Sequence, residues 1–377
     1  MSELINLKNA SKEWSKSAVS SECTLHQLSP YIGKMKSSMA KSLIENFTEK
    51  GETIYDPFVG CGTIALESWL LERDIIANDL SPYAYLLTMG KLNPITSKEL
   101  IKETIDKIET DLDYTTVEAK IADTPAWVSG FFNSDTLIEI LAWRDALVSK
   151  QEWFLLSCLM GILHHQRPGF LSYPSSHTVP YLRSKKFPKE NFPELYTYRE
   201  LRPRLEKKAL RAIRRISIPK NLIFKRCHQD NSETLVPAKK VNAIISSPPY
   251  MRRLDYGRDN RLRLWFLGEY DWRTLDKIIS PSEDQFLHTM RNCFKRWFDI
   301  LERKGKCILV FDSSISRKYK RPIVDIIVDI ACNELGMYEH IGNLEDEVPN
   351  KRRVRRNYSG TKSEVIIVLS RKDTFIS

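Results

Sequence analysis

Residues 53–79 of this 377-residue chain read TIYDPFVGCGTIALESWLLERDIIAND. The stretch predicts a short apolar strand, a turn with two glycines, a helix that begins near Ile64, and a second strand that ends at Asp79. Another helix should begin at Ser81, because serine is a common N-cap and Pro82 fits the first turn. The order strand, turn, helix, strand, helix is typical of a parallel α/β sheet.

The rest of the chain predicts a single sheet with one long interruption. Helical patterns and then strand patterns follow, the helices at 98–113, 134–149, 151–163 and 204–216 and the strands at 221–230, 241–250 and 306–311. A helix is expected at 322–336, and YEHIGNLEDEV and SEVIIVLSR should close the sheet as an antiparallel pair. We therefore expect two halves of one sheet domain at 1–97 and 221–377, separated by a largely helical, basic insertion at 98–220.

The net charge of +10 is concentrated in one segment. Residues 181–226 contain 15 basic and four acidic residues, a net charge of +11, so the remaining 331 residues sum to −1. Such an asymmetry favours a polyanionic partner such as nucleic acid, and a solvated helix face is the alternative.

Other features of the composition narrow the class of protein. No run of 18 apolar residues exists, which predicts no membrane span. The N-terminus is polar, and the seven cysteines are scattered without a CxxC pair. These features favour a cytoplasmic protein with free thiols, and no metal site is predicted.

The turn DPFVGCGT at 56–63 has the properties of a nucleotide-like binding site. Gly60 and Gly62 can adopt positive φ and let a ligand approach the backbone, and the amides at the helix start would face that ligand. The absence of GxxxxGK[ST] excludes a P-loop, and Ala65 in the third glycine position weakens a dinucleotide fingerprint. Asp79 is a candidate acceptor for ribose hydroxyls, with a capping role as the alternative.

DPFVGCGT resembles the S-adenosylmethionine-binding motif of amino-methyltransferases that act on DNA, and HQLSPYIGK at 26–34 resembles the segment that precedes it. The resemblance implies a Rossmann-like methyltransferase fold with S-adenosylmethionine as the cofactor. It implies that Asp230 contacts the adenine ring, with Gln229 or Asn231 as substitutes. The full set of implied cofactor-binding residues is Tyr31, Asp56, Pro57, Phe58, Gly60, Gly62, Thr63, Asp79 and Asp230.

Ser247-Pro248-Pro249-Tyr250 resembles the catalytic loop of the same methyltransferases. An exocyclic amine is a poor nucleophile because its lone pair is delocalised into the ring. Two acceptors, Ser247 Oγ and the Pro248 carbonyl, can bind its hydrogens, and prolines hold that carbonyl in a rigid turn. Tyr250 can stack on a base extruded from the duplex.

A serine at the first position of this loop resembles the cytosine-N4 branch of the family. The resemblance thus implies a site-specific DNA methyltransferase (cytosine-N4-specific) that acts on double-stranded DNA within a restriction–modification system, with a cognate restriction endonuclease as a candidate partner. The alternatives are adenine-N6 methylation of DNA, guanine-N2 methylation of RNA, and a catalytically silent DNA-binding module. Carbon-5 methylation is disfavoured because the chain contains no Pro-Cys pair.

The insertion is the predicted target-recognition region. Its Pro-, Tyr- and Arg-rich loop should read bases and hold phosphates, and Arg204, Lys207 or Lys208, Arg211 and Arg215 should share one face of a helix that follows the DNA backbone. Two arginines after the catalytic loop should contact phosphate near the flipped base. The predicted DNA-binding residues are Arg167, Arg183, Lys185, Arg211, Arg215, Arg252 and Arg253.

Overall fold

The computed structural model describes residues 22–177, 179–249, 255–347 and 363–373, except for the side chain of Lys120. Its centre is a seven-stranded sheet of order β3-β2-β1-β4-β5-β7-β6. The strands are β1 Thr53–Asp56, β2 Asp74–Asn78, β3 Lys225–His228, β4 Val241–Ser246, β5 Leu301–Asp312, β6 Tyr338–Glu347 and β7 Ser363–Arg371. β1 to β5 pair in parallel, whereas β7 runs antiparallel to both β5 and β6. The predicted Rossmann-like, mostly parallel sheet with closing antiparallel strands is confirmed.

Thirteen α-helices lie within the described residues. In chain order they are α1 Ser37–Phe47, α2 Thr63–Leu70, α3 Pro82–Leu92, α4 Lys98–Glu109, α5 Tyr114–Lys120, α6 Ala126–Ser129, α7 Ser134–Ser149, α8 Trp153–Ile162, α9 Arg202–Ala212, α10 Tyr256–Phe266, α11 Trp272–Ile279, α12 Glu283–Ile300 and α13 Ile323–Asp329. Short 3₁₀ turns cover Thr24–Gln27, Ile121–Asp123 and Pro193–Tyr196, and a π turn covers Ile330–Glu334. Within this part of the chain no helix is both long and apolar enough to cross a membrane.

Apolar side chains cover both faces of the sheet. Neighbouring residues of a strand point to opposite faces. Ile54 of β1 belongs to a core shared with α1 to α10, and its neighbour Tyr55 belongs to a second core shared with α12 and α13. Because both faces are buried, the middle positions of the central strands are apolar, as in Ile75–Ala77 of β2 and Ala243–Ile245 of β4, which is typical of parallel sheets.

The insertion packs entirely on the first of these faces. α8 approaches α3 closely because Gly90 has no side chain: a Cβ there would lie 2.3 Å from Ser157 Oγ. Ser157 Oγ in turn donates a hydrogen bond to the Leu86 carbonyl at 3.1 Å. Both ends of the insertion return to the same edge of the sheet, where the Lys225 ammonium donates to the Leu92 carbonyl. The division of the chain into three segments stays a prediction.

Several elements differ from the sequence-based expectation. β4 ends at Ser246, so the catalytic loop begins directly at the strand end, and β5 begins at Leu301, before the expected strand at 306–311. The 18-residue helix α12 was not expected. A capping box marks its start, since Ser282 and Gln285 each bond the other's backbone N–H, and this pattern was present in the sequence.

Candidate active site

The glycine-containing turn lies at the carboxyl edge of the sheet, between β1 and α2. Gly60 has a φ of 52° and Gly62 a φ of 74°, and Gly62 is the N-cap of α2 in the left-handed region. The Gly60 N–H donates to Asp79 Oδ2 at 2.9 Å, and the Gly62 N–H donates to the Val59 carbonyl at 2.9 Å. The turn therefore needs the positive φ that the two glycines allow.

The two glycines are needed for different reasons. A Cβ on Gly60 would lie 3.5 Å from the Tyr31 ring, which is ordinary contact distance. A Cβ on Gly62 would lie 2.8 Å from Thr88 Oγ1 and 3.2 Å from Thr88 Cα on α3. Gly60 thus supports the turn conformation, whereas Gly62 also allows α2 and α3 to pack closely.

One pocket brings the two sequence motifs together. Eight of the predicted site residues line it, six from the cofactor set and two from the catalytic loop: Tyr31, Asp56, Phe58, Gly60, Thr63, Asp79, Ser247 and Pro249. Pro57, Gly62 and Pro248 are not among its lining residues and shape the backbone around it instead. Tyr250, Arg252 and Arg253 lie outside the described residues, so the roles given to them stay predictions.

Asp79 supports the backbone on both sides of the pocket edge. Besides the bond from Gly60, its Oδ1 accepts a hydrogen bond from the Ser81 N–H at 2.9 Å, just before α3. Burial raises the pKa of this carboxyl to about 6, and the backbone N–H donors oppose that rise. The N-cap of α3 is Ser81, whose hydroxyl accepts from the Ala84 N–H, so Asp79 does not cap that helix itself. Asp79 lines the pocket, and its ribose contact stays a prediction.

Asp230 does not line the pocket. Its carboxylate accepts from the Asn231 N–H at 2.7 Å, and its backbone exchanges hydrogen bonds with the Asn78 side chain. The next three residues, Asn231, Ser232 and Glu233, line the pocket in its place. The adenine contact of Asp230 stays a prediction, and Asn231, the substitute offered by the sequence, is the neighbour that lines the pocket.

Two consecutive serines at the end of β4 donate hydrogen bonds to neighbouring strands. Ser246 Oγ donates to Asp56 Oδ1 of β1 at 2.6 Å, and Ser247 Oγ donates to the Val310 carbonyl of β5 at 3.1 Å. A hydroxyl has one hydrogen to donate and two lone pairs that accept. Ser247 also lines the pocket, so its hydroxyl lies beside the glycine-containing turn.

Asp56 is a buried carboxyl with a perturbed pKa. It is 2% exposed, and burial raises its pKa to about 7, with the nearby Asp79 carboxyl adding to the rise. Hydrogen bonds from the Ser246 hydroxyl and the Phe58 N–H favour the ionised form and limit the shift. A buried, perturbed carboxyl in a pocket is typical of a functional site.

We expect Asp56→Asn to change how stability depends on pH. The folded state holds a proton on Asp56 up to about pH 7, whereas the unfolded state releases it near 4. The wild type should therefore lose stability relative to Asp56→Asn as the pH rises from 4 to 8, by roughly 2–4 kcal/mol. Urea unfolding at several pH values measures this difference, with the exposed Asp135→Asn as the control. A difference that does not vary with pH would contradict the assignment.

The sequence did not identify the wall of the pocket opposite the turn. Tyr256 at the start of α10 lies 6.3 Å from Tyr31 between ring centroids, and α11 contributes Ile278 and Ile279. α12 contributes Phe286, Thr289 and Met290, whose spacing of three and four places them on one helix face. The capping box at Ser282 and this apolar periodicity were the signals that could have found them.

A second cleft lies beside the pocket. The cleft is lined by the exposed Tyr181 of the insertion, by Arg258 and Arg261 of α10, and by Trp272 of α11. Arg261 donates to the Pro180 carbonyl and so ties the insertion loop to α10. Because Arg258 lies two residues after Tyr256, the cleft and the pocket share α10.

The described DNA-binding candidates have different surroundings. Arg167, Lys185 and Arg211 are exposed and make no ion pair within the described residues. Arg183 donates to the Gln166 side chain and lies 6.0 Å above the Phe187 ring. Arg215 Nε donates to the Glu22 carbonyl at 3.2 Å and therefore supports the N-terminal segment.

Part of the basic segment has an internal role that its charge did not reveal. The Lys208 ammonium is buried and donates to the Gln27 carbonyl at 2.7 Å, and burial lowers its pKa to about 8. Arg199 donates to three carbonyls of the insertion, and Arg202 pairs with Asp106 and Glu109. Of the two alternatives for the DNA-facing position, Lys207 is exposed, whereas Lys208 is directed toward the N-terminal segment. The DNA contact of this helix face stays a prediction.

Comparison with known proteins agrees with these motifs. Residues 4–89 match the model of a family described as DNA methylase. Over 280 residues the chain is 25% identical to the Type II methyltransferase M.BsoBI of Geobacillus stearothermophilus, which covers 65% of this chain and 53% of that protein. The resemblance to the DNA amino-methyltransferases is confirmed. The chain spans about half the length of this curated relative.

The solved structures that resemble this chain do so loosely. TrmN from Thermus thermophilus is 10% identical with a TM-score of 0.37, over 92% of this chain and 52% of its own. The rRNA methyltransferase AviRa from Streptomyces viridochromogenes is 11% identical with a TM-score of 0.36, over 94% of each chain. Scores of this size are too low to support an argument about function.

The pocket is lined by charged and apolar groups that complement those of S-adenosylmethionine. This cofactor carries a sulfonium, an ammonium and a carboxylate, and the pocket is lined by the acids Asp56, Asp79 and Glu233 and by the cation Lys34. Phe58 and Leu80 add apolar surface, which is typical of pockets that bind a cofactor with an aromatic ring. S-adenosylmethionine is the cofactor that both the pocket and the DNA methylase match support.

Proposed function

We propose that this protein is a DNA methyltransferase that transfers a methyl group from S-adenosylmethionine to N4 of cytosine in a specific sequence of double-stranded DNA. The observation that carries the proposal is the hydrogen bond from Ser247 Oγ to the Val310 carbonyl. It holds the serine hydroxyl in the pocket that contains the DPFVGCGT turn, and a hydroxyl oxygen is a hydrogen-bond acceptor as well as a donor. An acceptor in this place suits an amino group as the second substrate.

The residues around this oxygen would prepare the amine for reaction. Ser247 Oγ and the Pro248 carbonyl would accept its two hydrogens, which favours a pyramidal nitrogen with an available lone pair. S-adenosylmethionine supplies an electrophilic methyl group when bound. The chain contributes mainly orientation and fixed dipoles, which together provide much of the rate enhancement of many enzymes.

Double-stranded DNA is the substrate that the surface beside the pocket favours. The loop at 181–189 carries Arg183, Lys185, Lys186 and Lys189 and no acid. It adjoins the cleft lined by Tyr181 and Arg261, in which Arg258 is paired with Asp255 and Asp259. Cations of this kind bind phosphates, and arginine also reads base edges. The loop supports a duplex lying across the mouth of the pocket.

The setting that we propose is a restriction–modification system in the cytoplasm. The relative M.BsoBI is named a Type II methyltransferase. By analogy, this chain would protect DNA from a cognate restriction endonuclease with the same recognition sequence. The cytosine-N4 assignment rests on the serine at position 247, where the resemblance associates Asp or Asn with adenine-N6 enzymes.

Nucleoside analysis by mass spectrometry tests the proposal. DNA and RNA are incubated with the protein and S-adenosylmethionine, digested, and compared with a reaction that lacks the cofactor. We expect N4-methylcytosine in DNA only. N6-methyladenine alone would assign the chain to the adenine branch, and N2-methylguanine in RNA would make RNA the substrate. No methylation together with no cofactor binding by calorimetry would indicate a silent DNA-binding module.

A further inference from the structure

The side chain of Ser246 joins the two motifs of the site. Ser246 is fully buried at the end of β4, directly before the catalytic loop. Its hydroxyl donates to Asp56 Oδ1 at 2.6 Å and accepts from the Phe58 N–H at 3.3 Å. Asp56 and Phe58 both belong to the turn that lines the cofactor pocket.

Backbone pairing does not make this connection. The register between β1 and β4 pairs Ile54 with Ala243 and Tyr55 with Ile244, and it ends there. The Ser246–Asp56 bond continues the contact between the strands, one residue further along β1 and two residues further along β4. It therefore lies where the cofactor turn and the catalytic loop diverge.

We propose that Ser246 is a positioning residue for methyl transfer, whose hydrogen bond to Asp56 fixes the separation between the bound cofactor and the acceptor atoms of Ser247 and Pro248. The inference rests on the proposed function and adds a role for a residue that is not in the catalytic loop. Ser246 is not among the residues that line the pocket, so it acts through its neighbours.

The expected effect follows from the geometry of methyl transfer. Reacting atoms must approach to roughly 3–3.5 Å in line, and a displacement of about 1 Å can cost on the order of 100-fold in rate. Loss of the Ser246 hydroxyl would free the loop from the turn without removing a cofactor contact. Ser246→Ala should therefore lower the single-turnover rate by about 10- to 100-fold and leave cofactor affinity within about threefold.

A second readout comes from the pH profile. The hydrogen bond from Ser246 favours the ionised form of Asp56, so its removal should raise the pKa of that carboxyl further. The titratable groups that interact electrostatically with Asp56 are Asp79 after β2, Cys227 on β3 and the adjacent Tyr55, whose side chain lies on the opposite face of the sheet. The rising limb of the rate profile should move to higher pH in Ser246→Ala, which a purely structural role would not predict.

The experiment compares Ser246→Ala, Ser246→Thr and Ser68→Ala with the wild type. Each full-length variant is tested for cofactor affinity by calorimetry and for single-turnover methylation between pH 5.5 and 9, roughly spanning the pKa of Asp56 near 7. Ser68 is a matched control, since it is fully buried on α2 and its hydroxyl has no partner within the described residues. Ser246→Thr keeps the hydroxyl and should retain most of the rate.

The outcomes separate this proposal from the proposed function. A slow, pH-shifted Ser246→Ala with normal cofactor affinity supports the positioning role. A Ser246→Ala rate within threefold of the wild type, or an equal loss of rate and affinity, would overturn it while the proposed function stands. A wild type that methylates no base would overturn both. If Ser246→Ala does not fold, Ser246→Cys is used in its place. Cysteine nearly keeps the side-chain volume of serine, and its thiol is a weaker hydrogen-bond donor than the hydroxyl.

Discussion

Ser247→Ala is expected to lower the rate of methyl transfer by about 100- to 1,000-fold, the loss seen when one preorganised polar group is removed from a reaction centre. The hydroxyl lies in the pocket with its hydrogen directed to the Val310 carbonyl, so alanine removes the acceptor and leaves that carbonyl without this donor. Cofactor affinity should stay within about threefold, because the turn at 56–63 and Asp79 are unchanged.

Single-turnover methylation and calorimetry with S-adenosylmethionine measure the two effects separately. Ser134→Ala, an exposed serine at the start of α7, is the control for loss of a hydroxyl. An equal loss of rate and cofactor affinity in Ser247→Ala would contradict the role given to this serine. Normal turnover would place the acceptor elsewhere in the pocket.

Gly62→Ala is expected to destabilise the protein by about 2–4 kcal/mol. Part of the cost arises because Gly62 has a φ of 74°, where a Cβ is unfavourable by roughly 1–2 kcal/mol. The rest arises because the added methyl would lie 3.2 Å from the backbone of Thr88, so α2 and α3 would have to separate. Movement of α2 would also disturb the amides of the turn and weaken cofactor binding.

Gly51→Ala isolates the backbone contribution. Gly51 has a φ of 82°, and nothing lies within 4 Å of the position that its Cβ would take. Urea unfolding of both variants should show that Gly62→Ala loses more stability than Gly51→Ala by about 1–3 kcal/mol. Equal losses would show that the contact with Thr88 does not limit the packing of α2.

The parts of the site that the sequence predicted are those formed by neighbouring residues. The turn at 56–63, the helix start at Ser81 and the loop after β4 depend on local chemistry, so glycine, proline and capping residues revealed them. The sheet that brings these elements to one edge follows from their order in the chain. The pocket therefore contains residues from both motifs, as the resemblance implied.

The parts that the sequence did not reveal depend on contacts between distant residues. Tyr256 and the wall from α12 reach the pocket only because the helices after the catalytic loop fold back over the carboxyl edge. The link between Ser246 and Asp56 spans 190 positions of sequence. Likewise, nothing in the charge of Lys208 shows that its ammonium is buried against the Gln27 carbonyl.

The hydrogen bond between Lys225 and Leu92 brings the two chain segments that flank the insertion together, and this proximity would allow the insertion to be replaced. The insertion leaves the sheet and returns to it at nearly one point, so a replacement segment of another length could bridge the same short gap. The strands that hold both motifs lie outside the exchanged segment. Under the proposed function, recognition of a new DNA sequence could then be acquired by replacing this segment, provided that the replacement covers α3 and preserves the apolar contact now made by α8.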